Sequence, residues 1–491
     1  MGNRATLLIF LLVLCHGVAM AMSYINVNEE EWEEVQRPDH WFLLRNMKQV
    51  IQTPAGQMRV VKSYFGRIVD HPMHIGFITM EPRTLFIPQY LDSSLILFIR
   101  RGEAKLGFIY KDDLVERRLK TGDVYRIPAG SAFYLVNVGQ RQRLHIIASI
   151  DPSESLGVGV FQPFYIGGGT NPASVLAGFQ PETLESAFNA SGMEISRLFS
   201  GEQQGPIVFV DRPHAPSLWT NWLELKEEER LEHLRKLMDD QEQPEAEEEE
   251  EEEDQTSWSW RKLMESVFGN KSKKRQEKGT GKSPDSYNLY DRKPDFRNNY
   301  GWSVALDASD YSPLEGSDIG VYLVNLTAGA MMAPHVNPIA TEYGIILGGY
   351  GRIEIVFPNG SSAMKAEIKE GDVFFVPRYF AFCQIASRTG PLEFFGFTTS
   401  ARRNRPQFLV GATSLLRTMM GPELAASFGE KEETVRRVVE AQHESVILPT
   451  PRAAPGGGEP QRETENENNS KESLRIIKRI GNDMITGFDL D

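Results

Sequence analysis

The sequence predicts a mainly β protein of two tandem, duplicated barrels or sandwiches, each followed by a small helical arm. Three observations lead there. One strand-and-turn signature occurs twice, as Gly122-Asp123-Val124-Tyr125-Arg126-Ile127-Pro128 and as Gly371-Asp372-Val373-Phe374-Phe375-Val376-Pro377. Each copy follows an apolar stretch that ends in a glycine turn: Leu95–Ile99 before Arg101-Gly102, and Tyr343–Leu347 before Gly348-Gly349. Each half then closes with apolar residues at helical spacing. Short apolar runs punctuated by Gly and Pro turns are the pattern of a sandwich or barrel, not of a helical bundle.

The elements follow in chain order. Residues 1–21 carry a basic start, an apolar run over Ala5–Leu14 and a small-residue end at Ala19-Met20-Ala21, the pattern of a cleaved secretory signal. The first folded domain is expected over 38–200, its arm over Thr183–Phe199 with Leu184, Ala187, Phe188, Ile195 and Leu198 on one face. Residues 219–295 hold an unbroken acidic block, Glu247–Asp254, and then a basic stretch; like charges repel and bury no apolar surface, so a disordered acidic/basic linker is expected. The second domain is expected over 296–450, with its arm over Glu433–Val446. A flexible tail rich in Gly, Pro, Glu and Asn fills 451–491.

Charge and cysteine content exclude whole classes. The net charge is -14, which argues against nucleic acid or an anionic membrane as partner. Glu224–Asp254 alone holds 17 acidic and 4 basic residues, a net of -13, so the acidity sits mostly in the linker. No stretch after the signal is long and apolar enough to span a bilayer. The chain has two cysteines, Cys15 inside the signal and Cys383, which leaves one thiol and no disulfide in the mature protein. With a secretory signal, the Asn-x-Ser/Thr sequons at Asn189, Asn270, Asn325, Asn359 and Asn468 become glycosylation candidates.

The second copy carries a constellation with chemistry. Gly329, His335, Asn337, Glu342 and Gly349 follow the spacing G-x5-H-x-N-x4-E-x6-G. His335 and Asn337 lie two apart, so on a strand they share a face. These residues resemble the cupin family, whose motifs read G-x5-H-x-H-x3,4-E-x6-G and G-x5-P-x-G-x2-H-x3-N. The resemblance implies two cupin jelly-roll barrels, a bicupin, in which two His, the Glu and the last His bind a metal. The first copy departs from it throughout: Phe133 stands at the last His, and Leu95, or Ser94 with a one-residue slip, at the Glu. The second keeps His335 and Glu342, but has Asn337 for the second His, Phe382 for the last His, Tyr379 for the motif glycine and Cys383 beside Phe382.

Three expectations compete for that pocket. Imidazole, carboxylate and thiolate suit copper or zinc, with His335, Glu342 and Cys383 as ligands. Strand alternation opposes this, since Cys383 should point away from where Phe382 points. The second expectation is a vestigial site, with His335 hydrogen-bonded to Glu342 and Cys383 packed as a small apolar residue. The third is a binding pocket for a small acidic ligand, with Asn337 and Tyr379 among its polar points.

The resemblance narrows further. Ala333-Pro334-His335-Val336-Asn337-Pro338, Val376–Cys383, Arg388-Thr389-Gly390-Pro391 and Asn404-Arg405-Pro406-Gln407-Phe408 are similar to the vicilin, or 7S globulin, seed storage proteins. That family implies a nutrient reservoir without catalysis, homotrimers joined by the helical arms, a protein storage vacuole (or the extracellular space) as destination, and later proteolysis. Helical arms with an apolar stripe outside a barrel need a partner surface, which agrees. The alternative function is a metal-dependent bicupin enzyme of oxalate-degrading or dioxygenase type, and the resemblance gives that class three His and one Glu per working barrel.

Overall fold

A computed structural model describes residues 42–63, 72–110, 113–139, 141–157, 159–201, 205–210, 285–402 and 405–450. The signal, most of the linker and the 451–491 tail lie outside the described residues, as do Asn270 and Asn468.

Each half is a pair of facing antiparallel sheets. In the first, one sheet runs Met47–Thr53, Gly56–Val61, His74–Met80, Leu144–Asp151, Ser94–Arg101, Asp123–Ile127 and Tyr287–Asn288 in spatial order. The facing sheet runs Pro163–Tyr165, Thr84–Leu91, Phe133–Asn137, Glu103–Tyr110 and Asp113–Lys120. The second half repeats the plan around one long strand, Glu342–Val356. Its first part pairs with Val373–Val376 and Leu392–Thr398, and its last part with Ala381–Ala386 and Ser362–Lys369.

That long strand corrects one expectation. Gly348-Gly349 is not a turn: the strand continues through it and passes from one sheet to the other, with a register shift beside Gly348. Gly349 has φ +90°, and a Cβ there would lie 1.9 Å from the Pro391 carbonyl oxygen. Gly102, at φ +94°, makes the same bend in the first barrel between Ser94–Arg101 and Glu103–Tyr110. A kink in the left-handed region favours glycine, which is why both copies have one there.

The unbroken apolar run Leu95–Ile99 is explained by burial on both faces. Ile96 and Phe98 face the seam between the barrels, where Phe98 stacks on Phe395 at 4.0 Å. Leu95, Leu97 and Ile99 alternate with them and are fully buried on the other side.

The halves exchange short segments, which shifts the domain limits expected at 38–200 and 296–450. Phe42–Leu44 docks on the second barrel: Leu44 N–H donates to the Val373 carbonyl, the Phe42 carbonyl accepts from Phe375 N–H, and the Phe42 ring packs against Phe375 and Phe380. Conversely Tyr287–Asn288 pairs with Val124 and Asp123 of the first barrel. The Asn288 amide donates to Asp123 at 2.8 Å, and Leu289 is fully buried. Residues 285–295 therefore do not belong to a disordered linker. Tyr287–Leu289 build an edge of the first barrel, while Arg292 pairs with Asp310 and Asp295 bonds to Ser303 and Ala305 of the second.

The arms differ in detail from their sequence pattern. The span 183–199 forms two helices, α1 (Pro181–Phe188) and α2 (Gly192–Phe199). Asn189 ends α1 in the left-handed conformation, and Ser191 opens α2 with a reciprocal capping box to Glu194. The second arm comprises α3 (Leu415–Thr418), α4 (Pro422–Ser427) and α5 (Glu432–Glu440). Val446, expected in the last helix, lies beyond it at φ +60°.

Candidate functional site

The site lies inside the second barrel. His335 sits on the two-residue strand His335–Val336, paired opposite Phe382 on one side and Phe408 on the other. Its ring packs at 4.1 Å from the Phe382 ring and 5.4 Å from that of Phe408. His335 Nδ1–H donates to the Ala333 carbonyl at 2.7 Å, so Nε2 carries the lone pair. Burial holds its pKa down at about 4, and the imidazole is neutral at physiological pH.

Asn337 does not act as a substitute ligand. Its Oδ1 accepts the backbone N–H groups of Ile339 and Ala340, at 3.1 and 2.9 Å. That commitment turns Nδ2 toward Glu342, to which it donates at 2.8 Å. Glu342 is thus bonded to Asn337, and no hydrogen bond joins it to His335, contrary to the expectation for a vestigial pair. Burial raises the Glu342 pKa to about 7, against the opposing hydrogen bond from Asn337.

Cys383 and Tyr379 both leave the site. Cys383 pairs with Glu354, and Arg352, two residues back on the same strand, shares that outward face. Phe382 takes the inward face, so alternation turns the thiol away from His335. Burial pushes the thiol up to about 11, which keeps it protonated and a poor ligand. Among the described residues, no group of three or more His, Cys, Asp and Glu could hold a metal ion. The donor set His335, Glu342 and Cys383 therefore does not fit copper or zinc. Tyr379 is 55% exposed, with the Arg378 guanidinium 5.6 Å above its ring, so it does not line the interior. Its backbone has φ +69°, close to Gly130 at +74° in the first copy, so Tyr379 occupies a turn built for glycine.

Sequence spacing missed Gln384. It is two residues beyond Phe382 on Ala381–Ala386 and so shares its inward face. It is 1% exposed, and its Oε1 has no hydrogen-bond partner. Leu135 stands at the equivalent place in the first copy, so comparison of the copies was the available signal.

The comparisons with known proteins agree with this architecture. The profile described as "Cupin" matches residues 43–196 and 287–436. A vicilin-like seed storage protein of Arabidopsis thaliana is 58% identical over 84% of this chain and 81% of its own. The chain belongs to the vicilin-like branch of the cupins. A second Arabidopsis thaliana vicilin-like seed storage protein is 29% identical over 84% of the chain and 74% of its own. Among solved structures, the vicilin of Corylus avellana has a TM-score of 0.65 at 20% identity, covering 84% of this chain and 99% of its own. That of Solanum melongena, described with different anionic ligands in structurally similar pockets, has a TM-score of 0.64 at 19% identity, covering 84% and 98%. At such identity these structures show the fold alone.

The first barrel of this vicilin-like chain keeps a polar trace at the same place. Gln89 pairs with Phe133 and Tyr165 as His335 pairs with Phe382 and Phe408. Leu95 takes the Glu342 place, since it pairs with Ile127 as Glu342 pairs with Val376. Gln89 to Leu95 is one residue shorter than His335 to Glu342, so motif counting back from Gly102 falls on Pro88. Gln89 is fully buried, with neither amide atom hydrogen-bonded.

The described sequons sit in three settings. Asn359 is exposed in a turn, its Oδ1 accepting from Ser361 Oγ at 2.8 Å. Asn189 is exposed at the end of α1. Asn325 is half-buried within Gly320–Leu326, its side chain bonded to Glu393.

Proposed function

We propose that the protein is a seed storage globulin, a nutrient reservoir laid down in a protein storage vacuole and later digested. The observation that carries this is the 58% identity to a vicilin-like seed storage protein across most of both chains. The site agrees. Neither barrel presents the three His and one Glu of a working bicupin enzyme, and the retained His335 and Glu342 are tied to backbone and amide groups.

Assembly into homotrimers through the arms belongs to the same proposal. Supporting it, α2 exposes Met193 and Leu198, and α5 exposes Val438. Exposed apolar helix faces of this kind gain by covering one another. Light scattering of the purified chain should give three times the monomer mass. Met193→Asp with Leu198→Asp should lower that mass, and a wild-type monomer at micromolar concentration would contradict the arm-mediated trimer. For destination, immunolabelling of maturing seed should place the protein in storage vacuoles; label confined to the cell wall would contradict it.

A further inference from the structure

We propose that His74, Ser63 and Tyr343 form an acid-sensitive latch between the two barrels, in which protonation of His74 breaks its bond to Ser63 and frees Tyr343 from the first barrel. This goes beyond storage and does not depend on it.

The latch is built from three buried polar side chains at the seam. Tyr343 stands on the long strand of the second barrel. Its hydroxyl reaches the first barrel, where it shares a hydrogen bond with Ser63 Oγ at 2.8 Å and is also bonded to the Met73 backbone. Ser63 follows the strand Gly56–Val61, and its backbone N–H donates to His74 Nδ1 at 3.1 Å. Ser63 therefore links an imidazole of the first barrel to a phenol of the second. The duplicated plan does not demand this arrangement. His74 and Leu95 flank Ile150 as Gly320 and Glu342 flank Thr398. Gly320 thus takes the His74 place and Ile96 the Tyr343 place, and neither has a side chain that forms hydrogen bonds.

A backbone N–H only donates, so Nδ1 holds its lone pair and the neutral ring carries its proton on Nε2. A proton arriving at Nδ1 sets two N–H groups against each other in a buried place, and the bond to Ser63 cannot survive it. Burial, and then the Lys62 charge, hold the His74 pKa down at about 4. Among the described residues, the titratable groups that face the ring are Lys62 and, through Ser63, Tyr343. The neighbouring strand Leu144–Asp151 sets Ile150 opposite it. Burial pushes the Tyr343 hydroxyl up to about 12, so it stays protonated while His74 titrates. A folded pKa below the ordinary 6.5 means that the latch contributes fully above about pH 6.5 and is lost as pH falls through about 4.

Hydrogen exchange of the full chain, corrected for the intrinsic rate at each pH, reads the latch at the Ser63 amide. With an open-state pKa of 6.5 and a closed-state pKa of about 4, protection there should fall roughly twentyfold from pH 7 to pH 5. His74→Asn supplies an oxygen acceptor that does not titrate, so its Ser63 protection should be the same at both pH values. Tyr343→Phe reads the seam. It should lower the urea midpoint about twice as much at pH 7 as at pH 4, where about half of the His74 rings carry the second proton. In the His74→Asn background its cost should not change with pH. If a variant fails to fold, the wild type decides: Ser63 protection that is equal at pH 7 and pH 5 overturns the latch. An undiminished acid loss in His74→Asn, or an equal cost of Tyr343→Phe at both pH values, overturns it as well.

Discussion

Replacing Glu342 by glutamine should change how stability depends on pH more than it changes the fold. Asn337 can still bond to the new side-chain oxygen, so the local geometry is kept. In the wild type, burial raises the Glu342 pKa to about 7 from an ordinary value near 4.5. A raised folded pKa means that the stabilising contribution is complete below about pH 4.5 and is lost as pH rises through about 7. The loss is on the order of 3 kcal/mol, given roughly 1.4 kcal/mol per unit. Urea midpoints from pH 4.5 to 8 should therefore fall more steeply in the wild type than in Glu342→Gln. Parallel curves would show that the carboxyl is not buried as described. Tyr379→Gly should stabilise the second barrel by about 1 kcal/mol: a left-handed L-residue costs about 1–2 kcal/mol, partly offset by the freedom glycine has when unfolded. An unchanged or lowered denaturation midpoint would contradict a strained turn. The left-handed turn was legible in the sequence, because Tyr379 stands where Gly130 and the cupin motif have glycine. The fate of Cys383 was half legible: alternation implied that it faces away from Phe382, but no spacing rule gave its partner, Glu354.

The strand Glu342–Val356 carries the sharpest test among the elements. Gly349→Ala places a methyl group against the Pro391 carbonyl at a positive φ, and should cost about 2–4 kcal/mol. Gly348→Ala next to it meets nothing within 4 Å and should be nearly neutral. Equal effects at the two positions would contradict passage of one strand between two sheets. The sequence showed a glycine after an apolar strand but did not distinguish a turn from a kink, because both need the same left-handed backbone. Helical spacing located the arms yet not their break at Asn189, since Leu184 and Ile195 lie on apolar faces whichever way the chain bends between them. The polar floor at Gln89 was hidden because one residue fewer separates it from Leu95, and motif spacing assumes a fixed count.

For the whole molecule, the exchanged segments govern what proteolysis does. Phe42–Leu44 is held by the second barrel and Tyr287–Leu289 by the first, and Phe98 stacks on Phe395 in the seam between them. Cuts between residues 211 and 284 should leave both halves in one particle under native conditions, separable only by denaturant. Gel filtration of the nicked protein checks this; elution as two half-size species would contradict it. Composition located the acidic segment, and the duplication gave the two barrels. The reciprocal exchange was not legible, because Phe42–Leu44 and Tyr287–Leu289 look by composition like the ends of their own domains. A seed storage protein is a reserve consumed by the seedling, and absolute quantification of this protein through seed filling and germination checks that role. It should accumulate to a major share of seed protein during filling and be mostly lost soon after germination. A trace level throughout, or a level that stays constant as the seedling grows, would contradict it.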